Sequence, residues 1–212
     1  MRFRRIQMLA IVLAMAIAVS ASIAAQQPPA GGGQGRGGGG AGGGGGQGRG
    51  GGGQRGPGLT LANSSWQDGG EIPVKYAAAG MSISPGLSWT NVPMGTVEFV
   101  LIMNDPEPVQ RGSATADILH WMVAKIPASM TSIAEGAFSA GGTVPAGVKV
   151  IQAYRGPGAG AAGPVHHYTL TLYALNAPLE LADNASRADV MAAMEGKVVQ
   201  RGIWVGRYKA PQ

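Results

Sequence analysis

The chain has 212 residues, 37 of them glycine and none of them cysteine, with a formal net charge of +5. The lack of cysteine excludes disulfides, thiol catalysis and cysteine-based zinc sites. Six of the sixteen Lys and Arg residues precede Leu59 and none of the eleven Asp and Glu residues does, leaving ten basic against eleven acidic groups beyond that point. Such a balance offers no broad electrostatic footprint for nucleic acid.

In chain order, MRFRR is followed by an apolar run, Ile6–Val19, and then by small residues. A basic segment, an apolar segment and a small-residue tail predict a secretory signal peptide over 1–25, cleaved after Ala24 or Ala25. The apolar run is shorter than the roughly 20 residues that span a bilayer. Membrane contact is therefore expected only through this segment, if it stays uncleaved as an anchor. The absence of cysteine excludes a lipoprotein anchor. Residues 26–58 are dominated by glycine with scattered Gln and Arg. No apolar side chain there is large enough to offset the cost of ordering the backbone, so this tract reads as a flexible linker. Its GRGGGG repeats are similar to RNA-binding arginine–glycine segments, but three arginines in an exported tail read better as a tether. The remaining stretch, 59–212, is long enough for one domain with its own core, and that core must hold it without disulfides. A periplasmic or secreted location is expected.

Within 59–212 the signals are mostly β. The expected strands are Val97–Asn104, Leu119–Ile126, Val148–Tyr154, His166–Leu175 and Ile203–Tyr208, all rich in β-branched and aromatic residues and bounded by Gly or Pro turns. Short strands with such punctuation predict an all-β-dominated antiparallel sandwich rather than βαβ units. One helix is expected near the C-terminus, capped by Ser186 or Asn184. Its expected apolar stripe is Val190, Met191, Met194 and Val198, with the two methionines in the core and Gly196 weakening the last turn.

Few ionisable groups lie beside these strands. Asp105 ends the first strand, and His120 is early on the next. If the two are antiparallel neighbours, both side chains lie at one end of the sheet. His166 begins a later strand after the loop GPGAGAAGP, 156–164. Side chains alternate along a strand, so His166 and Tyr168 share a face while His167 looks the other way. Two imidazoles, a carboxylate, a phenol and a loop with free backbone N–H groups would together suit a phosphate-like anion. Asp105 could fix the tautomer of one histidine or accept an amine. The loop itself matches no phosphate-loop pattern.

NDPEP (Asn104–Pro108), then LHWMVAKIP (Leu119–Pro127), then YRGPG followed by HHYTLTLYAL (His166–Leu175), resembles the phosphatidylethanolamine-binding protein family, in its bacterial, Raf-kinase-inhibitor-like branch. SPGLSW (Ser84–Trp89) and NVP (Asn91–Pro93) extend the likeness upstream. The resemblance implies one large and one smaller antiparallel sheet packed as a sandwich, with short peripheral helices and a small anion pocket at a sheet end. It implies ligand contacts at Asp105, His120, His166 and Tyr168, a wall of Gly156 and Pro157, and a second acid at Glu107. The chain departs from the family pattern at Glu107, at Ile118 and Leu119, where aromatics are usual, at His167, and at Gly158–Gly160, where a proline-rich turn is usual. The last change predicts a looser rim.

The expected function is thus a secreted, non-catalytic binding module for phosphate, acetate or a phosphorylethanolamine-like head group. It would need no cofactor or metal and bind no nucleic acid. Inhibition of a kinase or protease target belongs to the same reading, and a homodimer stays open. The imidazole pair predicts tighter phosphate binding below about pH 6.5, the reference value for imidazole. The alternative is a hydrolase with Asp105 and His120 as an acid–base pair, although no G-x-S-x-G motif or metal-ligand spacing supports it.

Overall fold

The computed structural model describes residues 57–212. The proposed signal peptide, and the linker apart from Pro57 and Gly58, lie outside them. Nine strands run in chain order: β1 (Thr60–Asn63), β2 (Gly70–Glu71), β3 (Leu87–Thr90), β4 (Glu98–Asp105), β5 (Ile118–Pro127), β6 (Ser132–Ile133), β7 (Lys149–Gln152), β8 (His166–Leu175) and β9 (Val198–Tyr208). Two short helices accompany them, α1 (Glu107–Gln110) and α2 (Arg187–Met194), with a 3-10 turn at Val74–Tyr76.

The strands form a three-stranded sheet, β1-β3-β6, and a six-stranded sheet, β2-β9-β8-β4-β5-β7. The strand pairs are antiparallel except β2 with β9. β1, β2, β3 and β6 are additional to the five expected strands, β7 stops short of Tyr154, and β9 begins five residues before Ile203.

β4 is central, and its residues Phe99 to Met103 are all buried. A strand covered on both faces reads as a continuous apolar run rather than an alternating one. Phe99, Leu101 and Met103 join one core with Leu61, Leu87 and Trp89 of the small sheet. Val100 and Ile102 point to the other face, against Leu179 and the α2 residues Val190 and Met194.

The helix differs from expectation on one side. Ser186 is its cap: the hydroxyl accepts the Asp189 N–H at 3.3 Å while the Asp189 carboxylate accepts the Ser186 N–H at 2.7 Å, a reciprocal capping box. Val190 and Met194 are buried, but Met191 is 41% exposed. Val198 is not in the helix; it starts β9 and is 43% exposed. The reason is local. Gly196 takes a left-handed φ of +72°, which ends the helix before the stripe can reach Val198.

Candidate functional site

Pairing of β4 with both β5 and β8 brings three polar positions to one sheet end. Asp105 is the last residue of β4 and pairs with Ile118, while Asn104 pairs with Thr169 two residues beyond Tyr168's neighbour His167. Asp105 follows Phe99, Leu101 and Met103 in the two-residue alternation, so it faces the main core side. His166 and Tyr168 reach the same side from β8, in phase with Leu170 and Leu172.

His120 needs a further device. Met103 pairs with Trp121 and Asn104 with Leu119, so His120 is an extra residue with no partner on β4. This β-bulge lets two successive side chains, His120 and Trp121, lie on the same side, although a regular strand would send them apart. Trp121 enters the main core and His120 turns to the space beside Asp105.

These side chains line a cavity of about 330 Å³, together with Ala78, Ile118, Arg155, Gly156, Gly158 and Ala159. The His166 Nδ1–H donates to the Asp105 carboxylate at 2.7 Å. The other Asp105 oxygen accepts the Glu107 backbone N–H at 3.0 Å. The His120 Nδ1–H donates to the Arg155 carbonyl at 2.7 Å, and the Arg155 N–H returns a bond to the His120 carbonyl at 2.8 Å. Tyr168 stands between the two imidazoles, with ring centroids 5.1 Å from His120, edge to face, and 6.3 Å from His166, stacked.

Burial pushes the His120 imidazole below its ordinary value of 6.5; the Arg155 charge acts in the same direction, and the bond to the Arg155 carbonyl and the Asp105 charge oppose it. His120 is therefore neutral at neutral pH. It gains its proton only at a pH below that ordinary value. Burial, then the Asp105 charge, push the Tyr168 hydroxyl up to about 12, so it stays a phenol.

The loop from Arg155 to Pro164 is tied down. The Gly156 N–H donates to the Ser82 hydroxyl at 2.8 Å, and the Gly158 N–H donates to the Tyr168 hydroxyl at 3.2 Å. The Ala78 N–H donates to the Pro157 carbonyl at 2.8 Å and the Ala210 N–H to the Ala159 carbonyl at 2.9 Å. Of the backbone N–H groups expected to be free in this loop, those of Gly156 and Gly158 are thus already used in its own anchorage. Gly156 belongs to the cavity wall; Pro157 is buried behind it and acts through its carbonyl.

Glu107 is not in the cavity. Its carboxylate accepts the His167 Nδ1–H at 2.6 Å on the outer face, and that bond holds Glu107 below the usual carboxylate range. Chain alternation explains this, since His167 looks away from His166 and draws Glu107 with it. The pairing of Asp105 with His120 as an acid–base couple is likewise corrected: the imidazole bonded to Asp105 is that of His166, and His120 is held by a backbone carbonyl. Arg155 was not singled out by the sequence reading. It immediately precedes the Gly-Pro wall, which was the available signal. Its guanidinium has no carboxylate partner among the described residues.

The arrangement offers a partly open, mostly apolar space lined by two imidazoles, one phenol and Arg155. Comparison with known proteins gives this geometry a family. The family model for phosphatidylethanolamine-binding protein matches residues 62–209. A UPF0098 protein of Methanothermobacter thermautotrophicus is 35% identical over 157 residues, covering 71% of this chain and 99% of that protein. LppC of Mycobacterium tuberculosis, whose name includes the word lipoprotein, is 32% identical over 151 residues, covering 71% of this chain and 72% of its own. Among solved structures, YbcL of E. coli, described as a member of the mammalian PEBP family, matches with a TM-score of 0.63 at 22% identity, covering 73% of this chain and all of that one. The homologue CT736 of Chlamydia trachomatis matches at 0.60 and 24%, covering 73% and 99%. The two solved structures bear on the fold alone, while the match from residue 62 to residue 209 takes in every strand but the first two residues of β1. On that match, the chain belongs to the phosphatidylethanolamine-binding protein family.

Proposed function

We propose that the protein is an exported, non-catalytic binding module whose two sheets form a sandwich and whose sheet-end cavity holds a small oxyanion. Phosphate, acetate and the phosphate of a phosphorylethanolamine-like head group fit this reading. The observation that carries it is the convergence of Asp105, His120, His166, Tyr168 and Arg155 on one cavity of about 330 Å³. Ligand pockets run from about 300 to 1,000 Å³, so this one suits a small guest or one end of a larger one. The test is calorimetric titration of inorganic phosphate into the full chain. Binding is expected, and a His120→Ala/His166→Ala double variant should weaken it at least tenfold; unchanged binding by the double variant would sink the proposal.

Export is supported by the basic-apolar-small leader and by the lipoprotein name carried by LppC. The 212 residues contain no cysteine. Among the described residues, no helix is long and apolar enough to cross a membrane. Inhibition of a kinase or protease target belongs to the same reading.

A hydrolase is the second reading, and the Asp105–His166 pair favours it, since the carboxylate orients an imidazole whose Nε2 is free to take a proton. Against it, no Ser, Thr or Cys lines the cavity to act as nucleophile. Turnover of p-nitrophenyl phosphate that Asp105→Ala abolishes would reverse the ranking.

A further inference from the structure

We infer that, among the small oxyanions the reading above admits and on which this inference rests, the cavity prefers at neutral pH one that brings its own proton, so that phosphate binds ahead of acetate, of an unprotonated phosphate monoester and of sulfate. Its basis is the hydrogen-bond direction at the two imidazoles. The Arg155 carbonyl can only accept, so the His120 nitrogen 2.7 Å from it must carry the hydrogen. The Asp105 carboxylate imposes the same on His166 Nδ1, also at 2.7 Å. A neutral imidazole with its hydrogen on Nδ1 has a bare Nε2, which accepts and cannot donate. His120 is 4% exposed, so water cannot easily stand in as donor once a guest fills the cavity.

An anionic oxygen set against that lone pair, with no hydrogen between them, meets repulsion and leaves a buried acceptor unsatisfied. Phosphate avoids this. It keeps at least one P–OH at neutral pH, which donates to His120 Nε2, while its bare oxygens accept from the Tyr168 hydroxyl and the Arg155 guanidinium. Sulfate has no proton to offer and enters only if His120 is first protonated. The groups facing His120 are Asp105 from β4, Arg155 from the loop, and His166 and Tyr168 from β8. Of these, the Asp105 charge favours protonation and the Arg155 charge opposes it, and with burial the balance falls below 6.5.

The size of the effect follows. At about pH 7.5 an ordinary imidazole is protonated roughly one time in ten, and His120 less often, so sulfate should bind at least about tenfold more weakly than phosphate. Lowering the pH should strengthen sulfate binding by up to about tenfold per unit and narrow the gap.

The experiment titrates sulfate, inorganic phosphate and methyl phosphate into the full chain near pH 7.5 and pH 5.5. Methyl phosphate separates a free phosphate from an esterified head group. Monoesters lose their second proton near pH 6, so it should lag phosphate at the higher pH and match it at the lower. A phosphate preference of tenfold or more at pH 7.5 that shrinks at pH 5.5 supports the inference. Equal binding of phosphate and sulfate at pH 7.5 overturns it and leaves the oxyanion reading standing. Binding of none of the three overturns both. Two variants add a check within the protein: Arg155→Ala should weaken both inorganic anions alike, whereas His120→Gln, whose amide can donate, should narrow the ratio between them. An unchanged ratio in a folded His120→Gln protein would also overturn the inference.

Discussion

At the scale of single residues, the cavity depends on backbone contacts that leave no room for a side chain. A Cβ on Gly156 would lie 2.5 Å from the Tyr76 carbonyl oxygen and 2.6 Å from the Ala77 carbonyl carbon. Both are backbone atoms that cannot swing aside. Gly156→Ala should therefore destabilise the protein by roughly 1–3 kcal/mol, as overpacking does. A shift of the denaturant midpoint would measure it, and an unshifted midpoint would mean that the loop lifts freely. The same substitution should weaken phosphate binding, because the neighbouring Arg155 carbonyl is what fixes the His120 tautomer. Asp105 works by a related logic. It is 2% exposed, yet both of its oxygens are bonded, one to the Glu107 N–H and one to His166, and a buried carboxylate is tolerable only when satisfied in this way.

At the scale of elements, α2 covers the outer face of the large sheet with a narrow contact. Val190 and Met194, one turn apart, enter the second core cluster, whereas Met191 lies at 41% exposure. Met194→Ala should cost about 2–5 kcal/mol, the range for emptying a buried site. Met191→Ala should stay within about 0.5 kcal/mol. Urea unfolding of the two variants distinguishes this face from the one that the apolar spacing suggests, and equal losses would count against it. The bulge in β5 is the matching device at the site, since one unpaired residue rather than a special loop turns His120 toward Asp105. A second step in the same strand, near Lys125 with its left-handed φ of 58°, shifts the register again between Leu101 and Phe99.

For the whole molecule, two buried titrating groups set opposing pH slopes. His120 has a lowered value in the folded state, so below 6.5 the unfolded chain takes a proton that the native protein refuses. Its contribution to stability is complete above 6.5 and is lost as the pH falls toward the folded value. Glu98 is raised above 4.5, chiefly by burial and against the hydrogen bond it accepts from the Leu179 N–H at 2.7 Å. Its contribution is complete below 4.5 and is lost as the pH rises through its folded value. Melting temperatures measured from pH 7.5 to 5 should fall less steeply for His120→Gln than for the parent, and parallel curves would refute the assignment. The β class and the family were legible in the sequence, because apolar runs between turn residues report burial wherever burial follows strand period, and the motifs from Ser84 to Leu175 retain their order. β1, β2, β3 and β6 were not read as strands because two to four residues leave too short a pattern. That His166 and Tyr168 share a face follows from strand phase, which is local, whereas His120 reaches the cavity only through the bulge in β5. Which imidazole bonds Asp105, the outward turn of Glu107 and the entry of Arg155 into the site depended on the register between strands and on one bulge. Those are relations between segments far apart in the chain, and only the tertiary fold specifies them.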